Sequence, residues 1–212
     1  MEIGKAQVER THYKISGYGY AGRFVSYFNQ ISLAIKTNPS SILEIGSGDK
    51  VFSSYIKQNT KIEVKTLDLA EDLNPDVIGD IRSIPFADKS FDTVCAFEVL
   101  EHIPFEEVKT ALGEMFRVSK NYVFISVPHF SPQFKFLLKI PFIPEIKFAI
   151  KIPYFKKHKF DGEHYWELGK SGFKKSRLKN LLKEYGEVEM DFIPFENQYH
   201  HFFLVKPTHH SL

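Results

Sequence analysis

Cysteine is nearly absent, since Cys95 is the only one among 212 residues. A single cysteine excludes a disulfide framework and a Cys-x-x-Cys metal site. The net charge of +2 is too small to imply nucleic-acid binding by itself. No apolar run reaches the roughly 18 residues of a membrane-spanning helix, and the polar start MEIGKAQVER does not resemble a signal peptide. These absences predict a cytoplasmic protein.

The remaining composition is that of a globular chain. Hydrophobic residues make up 43% and charged residues 25%, which excludes a disordered or collagen-like chain. The length predicts about one domain, residues 1–212. The 21 Phe, 10 Tyr and 1 Trp need a core, an interface or a ligand to cover them.

From residue 41 onward, short apolar runs alternate with helical patterns. This alternation predicts an α/β fold in which a mostly parallel sheet carries helices on both faces. The predicted strands are Ser41–Ile45, Ile62–Leu69, Phe91–Phe97 and Tyr122–Val127. The helices between them are predicted from residues at helical spacing, namely Val51, Phe52, Tyr55 and Ile56, and Phe105, Val108, Leu112, Met115 and Phe116.

The two ends of the chain complete this pattern. After a last helix, which contains Leu178 and Leu182, two runs at Val188–Ile193 and His201–Val205 are predicted to pair as an antiparallel hairpin. Near the start, we expect an N-terminal helical cap over residues 1–38. Its main helix is predicted to cover one edge of the sheet with a face formed by Phe24, Phe28, Ile31 and Ile35.

The segment 129–160 differs from the rest in charge. It holds seven lysines and seven phenylalanines but only one acid, Glu145, so its local charge is +6. Four prolines are predicted to divide it into two short helices, at about 133–140 and 145–152. Because it follows a strand at the edge where open α/β sheets bind ligands, we expect a basic aromatic lid that closes over the site.

A glycine turn follows the first predicted strand. Gly46 and Gly48 allow a sharp turn and a close approach to a ligand. Asp68 ends the second strand, where a carboxylate can accept both hydroxyls of a ribose. Val51 stands near the position where a dinucleotide site favours a third glycine. The spacing therefore predicts a nucleoside-containing cofactor and makes NAD, and with it a dehydrogenase or epimerase, the less favoured alternative.

The next stretch narrows the choice. GDIRSIPFADKSFDTVCAFEVLEHI, residues 79–103, resembles the type 11 group of class I S-adenosylmethionine-dependent methyltransferases. The resemblance extends from about Ser41 to Val127, and the segments 160–169 and 197–203 resemble an uncharacterised prokaryotic subgroup. It implies a Rossmann-like seven-stranded fold with strand order 3-2-1-4-5-7-6 and an antiparallel last strand. Lys50 departs from the pattern, since many members have glycine there.

The resemblance also implies roles for individual residues. Glu44, Gly46, Ser47 and Gly48 would contact the methionine end of S-adenosylmethionine. Asp68, with Leu69, would bind the ribose. Asp80 would accept a hydrogen bond from the adenine amino group, with Ile81 against the ring. Phe97 and Glu98 would flank the sulfonium. The product would be S-adenosylhomocysteine. The ten predicted cofactor contacts are thus Glu44, Gly46, Ser47, Gly48, Asp68, Leu69, Asp80, Ile81, Phe97 and Glu98.

Three histidines are candidates for a general base, namely His102, His129 and His164. Histidine titrates near neutrality, and each is predicted close to the carboxyl edge of the sheet. A structural role for His102, as a loop hydrogen-bond partner, remains open. The spacing Glu98-x-x-Glu101-His102 also permits a divalent-metal site, with His129 as a fourth ligand. This arrangement is similar to that of metal-assisted O-methyltransferases. However, the motif Val99-Leu100-Glu101-His102 is also common in type 11 methyltransferases that need no metal.

The acceptor is the least determined part. We expect Glu163, Trp166, Glu167 and Tyr199 to line its pocket, although Trp166 would alternatively pack the lid onto the domain. Lysines interleaved with apolar residues in 129–160 suit a lipid-like acceptor and a peripheral membrane contact. A small-molecule acceptor, an RNA or protein acceptor, a lid or dimer interface, and a non-catalytic cofactor-binding protein are the alternatives.

Overall fold

The computed structural model describes residues 10–208, so the ends of the expected domain 1–212 and the start of the expected cap 1–38 lie outside it. The described strands of the central sheet are β1 (Ser41–Ile45), β2 (Glu63–Asp68), β3 (Val77–Ile78), β4 (Phe91–Phe97), β5 (Ser119–Pro128), β8 (Gly186–Phe192) and β9 (His200–Pro207), while β6 (Gln133–Leu138) and β7 (Ile146–Lys151) form a separate pair.

The seven strands of the central sheet follow the order β3-β2-β1-β4-β5-β9-β8. β1 to β5 are mutually parallel, and β9 runs antiparallel to both neighbours. The predicted strand order is confirmed.

Five α-helices lie in the described part of the chain. They are α1 (Ile15–Tyr18), α2 (Ala21–Lys36), α3 (Val51–Asn59), α4 (Val108–Val118) and α5 (Lys175–Lys183). Short 3-10 turns occur at Arg10–Tyr13, Glu71–Leu73, Leu100–His102 and Phe105–Glu107. None of the helices among residues 10–208 combines the length and the apolar composition that crossing a membrane requires.

The sheet has two buried faces because its strand residues alternate between them. On one face, Leu43, Val94 and Val123 pack with α4 and α5. On the other, Ile42, Cys95 and Phe124 pack with α2 and α3. A strand buried on both faces reads as a continuous apolar run, which is why the sequence pattern located β1 and β4 correctly.

The face that α2 buries differs from the predicted one. Ser26, Tyr27, Gln30 and Ala34 are buried, whereas Phe24 and Phe28 are 52% and 70% exposed. A buried hydrogen bond accompanies this orientation of α2, because the side-chain amide of Asn197 donates to the hydroxyl of Ser26 at 2.9 Å. Hydrogen bonds, rather than the largest apolar residues, set the rotation of this helix.

The two helices predicted in the lid are wrong. The segment instead forms an antiparallel pair, β6 (Gln133–Leu138) and β7 (Ile146–Lys151), and we call residues 133–151 the basic aromatic hairpin. Period-two alternation explains it, because apolar residues fall on one face and lysines on the other. Pro141 and Pro144 lie in the connecting loop rather than inside helices. The apolar face consists of Phe134, Phe136, Leu138, Ile146, Phe148 and Ile150.

Candidate active site

A cavity opens at the carboxyl ends of β1, β2 and β4, where an α/β sheet of this kind binds its ligands. All predicted cofactor contacts line it except Glu44 and Ser47. Ser47 is buried, and its backbone N–H donates to the carboxylate of Asp68. Glu44 is also buried and has Ser53 as a hydrogen-bond partner. Burial raises the pKa of Glu44 to about 8. The lining residues predicted from the sequence are Gly46, Gly48, Asp68, Leu69, Asp80, Ile81, Phe97 and Glu98.

The turn after β1 depends on left-handed backbone. Gly46 has a φ of 74° and Gly48 one of 47°. A Cβ atom at Gly46 would lie 2.3 Å from Cγ2 of Val99, which is too close for any side chain. Lys50 also adopts a positive φ, 63°, directly before α3. The conformation that glycine would favour at position 50 is therefore kept, although the residue is lysine.

Asp68 connects the ends of β1 and β2. Its Oδ2 accepts from the Ser47 backbone N–H at 2.7 Å, and its Oδ1 accepts from the Ala70 N–H at 3.0 Å. These bonds fix the carboxylate at the cavity wall. Carboxylate oxygens have about four acceptor sites, so Asp68 retains capacity for the hydroxyl groups of a ribose.

Asp80 is held by a neighbouring arginine. Arg82 donates from Nε to Asp80 Oδ1 at 2.9 Å, and its other end contacts Glu107. Ile81 lies beside Asp80 in the cavity wall and is almost fully buried. A carboxylate next to an apolar side chain suits a flat heteroaromatic ring that carries an amino group.

Sequence reasoning gave no individual role to three residues near the site, although we expected the Tyr-rich N-terminal helix to close over the cofactor. Tyr13 and Tyr18 line the cavity, and the guanidinium of Arg23 lies 4.1 Å from the centroid of the Tyr18 ring. Tyrosines in the N-terminal stretch were visible in the sequence, but no spacing rule connects them to β1. They bring the described part of the N-terminal segment over the cofactor side of the sheet.

The comparisons with known proteins agree with this geometry. Residues 43–125 match the model of a methyltransferase domain. None of the curated proteins matches the sequence. The PH0226 protein from Pyrococcus horikoshii OT3 has a TM-score of 0.62 at 15% identity, covering 93% of this chain and 96% of that chain.

Two further similar structures contain a bound cofactor product. Magnesium protoporphyrin IX methyltransferase from Synechocystis PCC 6803 with bound SAH has a TM-score of 0.60 at 12% identity and covers 97% of this chain and 90% of that chain. The 1,6-didemethyltoxoflavin-N1-methyltransferase from Burkholderia thailandensis, also with S-adenosylhomocysteine, has a TM-score of 0.61 at 14% identity, covering 94% and 87%. At such identities the likeness establishes the fold, and the domain match adds the chemistry. Residues 43–125 thus match a methyltransferase domain, and the fold that holds them is that of S-adenosylmethionine-dependent methyltransferases.

The residues that line the cavity fit S-adenosylmethionine as the cofactor. The glycine turn leaves backbone exposed to a ligand, Asp68 and Asp80 offer carboxylates at opposite parts of the wall, and Phe97 provides an aromatic surface. Glu98 Oε1 is buried without a hydrogen-bond partner, as expected of a group that meets a bound ligand. The cofactor supplies an activated methyl group, while the protein aligns the acceptor and excludes water.

Two acidic side chains lie at the cavity, Glu98 in its lining and partly buried, and Glu101 behind it and fully buried. Glu98 has a φ of 55°, and its Oε2 lies 3.6 Å from Nε2 of His200. Glu101 is fully buried, and both its carboxyl oxygens are without hydrogen-bond partners. Burial raises the pKa of each carboxyl, and the charges of Glu98 and Glu167 raise the pKa of Glu101 further. The charge of Arg23 lowers the pKa of both. Such pKa shifts cluster at functional sites.

The structure brings together two of the three candidate bases, His102 and His164, but not His129. His102 lines the cavity, and its Nδ1 donates to the backbone oxygen of Glu163 at 3.0 Å. Burial lowers the pKa of His102 to about 4, which keeps the ring neutral. The His164 ring lies 5.0 Å from the His102 ring. His129 lies in a separate surface pocket with His201 and Lys151 and does not line the cofactor cavity, so its role as a base stays a prediction.

The predicted metal set is altered in the same way. One ligand atom from each of Glu101, His102 and His164 falls within 4.8 Å of the others. Glu98 is not part of this group, and His129 bonds to His201 Nδ1 at 2.8 Å instead. The sequence pattern did not include His164 in this set, because it lies far along the chain in a loop whose path the sequence does not reveal.

The predicted acceptor-pocket residues divide into two groups. Trp166 is fully buried, packs edge-on against Phe105 at 5.1 Å and donates from Nε1 to the Ile103 oxygen at 3.1 Å. Its ring is therefore core and does not stack on an acceptor. Tyr199 donates to Glu167 Oε1 at 2.8 Å, and Glu163 has an exposed side chain. Tyr199 and Glu167 remain candidates for the acceptor side.

The segment 129–160 does not cover the cavity. None of its residues lines the cofactor cavity, and the basic aromatic hairpin projects from the end of β5 with every residue of β6 exposed. The prediction that this insertion closes over the cofactor is wrong for this structure. Its apolar residues therefore need another explanation.

Proposed function

We propose that the methyltransferase transfers a methyl group to a lipid-like small molecule, which it meets at a membrane surface through the basic aromatic hairpin. The exposed apolar face of that hairpin is the observation that carries this proposal. Similar structures support a small-molecule acceptor in general, since two of them are methyltransferases of magnesium protoporphyrin IX and of 1,6-didemethyltoxoflavin. The lipid-like class rests on the features of this chain alone.

The basic aromatic hairpin exposes a large, continuous set of apolar side chains. The side chains on its apolar face range from 38% exposed at Phe136 to 55% exposed at Phe134 and Ile150. In the connecting loop, Phe142 is completely exposed and Ile143 is 49% exposed. Contiguous patches of this kind mark interaction sites.

Charge favours an anionic bilayer as the occupant. On the opposite face of the hairpin, Lys135 and Lys147 approach the ring of Phe195 at 4.6 and 5.5 Å, so this face is turned toward the body of the protein. Lys139 lies next to the apolar loop, and three more exposed lysines, Lys156, Lys157 and Lys159, follow the hairpin. Each lysine near an anionic membrane contributes about 1 kcal/mol, whereas a second copy of the hairpin would bring like charges together.

Membrane binding is tested by flotation with vesicles of phosphatidylcholine alone and with phosphatidylglycerol added. Phe142→Ser combined with Ile143→Ser should abolish flotation with the anionic vesicles. The control is Tyr55→Ser, which removes a half-exposed aromatic side chain from α3. Flotation that survives the double substitution contradicts the proposal, as does a wild-type protein that dimerises through the hairpin and ignores vesicles.

Acceptor class is tested by incubating the protein with methyl-labelled S-adenosylmethionine and a membrane-containing extract of its source. We expect label in the organic-soluble fraction, and less of it with the double substitution, at unchanged affinity for S-adenosylhomocysteine. Label in precipitable RNA or protein would instead support the macromolecular alternative. Label confined to small polar products would support an ordinary soluble acceptor.

A further inference from the structure

A cluster of carboxylate and imidazole groups borders the cofactor cavity. Glu101, His102 and His164 place one ligand atom each within 4.8 Å of one another. Glu101 comes from the 3-10 turn after β4, while His164 comes from the loop before α5. The backbone N–H of Tyr165 donates to the backbone carbonyl oxygen of Glu101 at 2.8 Å, so these two segments are joined by a hydrogen bond.

The Glu101 side chain has no hydrogen-bond partner among residues 10–208. It is fully buried, and neither of its carboxyl oxygens bonds to any residue of that range. Most buried polar side-chain atoms in proteins have at least one partner, because an unpaired buried charge is very costly. A cation or a proton must therefore accompany this carboxylate.

In each of the two histidines, the ring nitrogen Nδ1 bonds to a protein oxygen, as it does in most metal-binding histidines. His102 donates from Nδ1 to the Glu163 oxygen at 3.0 Å, and His164 donates from Nδ1 to Glu167 Oε1 at 3.1 Å. A ring whose Nδ1–H is held by a carbonyl or a carboxylate keeps its lone pair on Nε2. Metal-ligating histidines almost always have such a partner on the other nitrogen.

We propose that Glu101, His102 and His164 bind a divalent first-row transition-metal ion at the edge of the cofactor cavity. Two imidazoles and one carboxylate form a known ligand set for Zn²⁺ and Fe²⁺ sites with open positions. Because His102 also lines the cavity, an open position on the ion would face an acceptor oxygen there and lower its pKa. His102 would then hold the ion rather than remove the acceptor's proton.

A second cluster nearby is a weaker candidate. Asp161, His164 and Glu167 also lie within 4.8 Å of one another. However, Asp161 Oδ1 already accepts the backbone N–H groups of Glu163 and His164. Glu167 is paired with Lys170 at 2.7 Å and with Tyr199 at 2.8 Å. Their carboxylates are satisfied without an ion, which is the reason to prefer Glu101.

The side chain of His164 is 18% exposed, so the site has a route to solvent. The full-length chain, dialysed against a chelator, is titrated with Zn²⁺ by calorimetry and with Co²⁺ by visible absorption. We expect one ion per chain at this site and Co²⁺ bands of a site with mixed nitrogen and oxygen ligands. No acceptor is present in this test, so its result is independent of the proposed lipid-like substrate.

Variants identify the ligands. Glu101→Gln and His164→Gln should each weaken metal binding at least 100-fold. Glu167→Gln should weaken it about 10–100-fold, because Glu167 holds the ring of His164. Asp161→Asn is the matched control and should bind like the wild type. Because Glu101→Gln alters a buried position, His164→Gln provides the ligand test if that variant does not fold. Absence of binding, or equal binding by wild type and His164→Gln, overturns the proposal. Loss with Asp161→Asn but not with Glu101→Gln would assign the ion to the second cluster and also overturn it.

Discussion

The Oδ2 atom of Asp68 lies 2.7 Å from the backbone nitrogen of Ser47, so the end of β2 is tied to the glycine turn after β1. This bond joins two elements that each form part of the cofactor cavity. It also orients the carboxylate before the cofactor binds. The arrangement explains how residues separated along the chain present one surface to a nucleoside.

Substitution of Asp68 by alanine should weaken binding of S-adenosylhomocysteine. Charge-assisted hydrogen bonds contribute about 1.5–3 kcal/mol, which corresponds to roughly 10–100-fold in the dissociation constant measured by calorimetry. Asp76→Ala is the control, because Asp76 bonds to Thr66 and Lys57 and does not line the cavity. An unchanged affinity in a folded Asp68→Ala protein would argue against the ribose assignment.

Position 50 tests the turn itself. Because Lys50 has a φ of 63°, glycine there removes left-handed strain of about 1–2 kcal/mol, partly offset by loss of the Lys50 contact with the Asn74 oxygen. Lys50→Gly should therefore keep both stability and cofactor affinity. Lys50→Val should lower the free energy of unfolding by about 1–2 kcal/mol, measured in urea. Equal stability of the two variants would show that the backbone conformation is not the constraint.

Trp166 should act on stability and not on acceptor recognition. Trp166→Ala removes a fully buried ring and should cost about 3–5 kcal/mol. Trp166→Phe keeps packing against Phe105 but loses the hydrogen bond to the Ile103 oxygen, a loss of about 1 kcal/mol. Its cofactor affinity and its KM for the acceptor should match the wild type. A stable Trp166→Phe protein with a greatly raised acceptor KM would restore a direct binding role.

Stability should fall in mild acid through a buried histidine pair. The Nδ1 atoms of His129 and His201 lie 2.8 Å apart, and burial lowers the pKa of His129 to about 3 and of His201 to about 4. In the unfolded chain both titrate near 6.5. Between about pH 6.5 and pH 4 the unfolded state therefore binds more protons, and the free energy of unfolding decreases as the pH falls.

Urea unfolding at pH 7.5, 6 and 5 measures this slope. The double variant His129→Gln with His201→Gln should depend less on pH than the wild type. Some dependence should remain, because burial also lowers the pKa of His102 to about 4. A double variant with the wild-type slope would contradict the assignment to this pair.

The sequence predicted the sheet well because its signals are local. β4 was located at Phe91–Phe97, the range that the structure has, since buried parallel strands appear as short continuous apolar runs. The turn at Gly46 and the carboxylate of Asp68 follow from strand–turn–helix spacing. Each of these signals lies within one continuous stretch of chain, residues 41–68 for the turn and the carboxylate and residues 91–97 for β4.

Long-range packing was not predictable in the same way. Trp166 is core because Phe105 and Ile103 surround it, and nothing near position 166 indicates this. The approach of His164 to Glu101 depends on a loop that returns from the hairpin to β4. In the hairpin itself, Leu137 interrupts the alternation of apolar and basic residues, which favoured the incorrect helical interpretation.

A crystal structure of the protein with S-adenosylhomocysteine tests the central claim most directly. The account predicts density for the ligand in the cavity, with the ribose hydroxyls on Asp68, the adenine beside Asp80 and Ile81, and the sulfur near Phe97 and Glu98. Ligand density in another pocket, or none at saturating concentration, would contradict the assignment of this cavity as the methyl-transfer site.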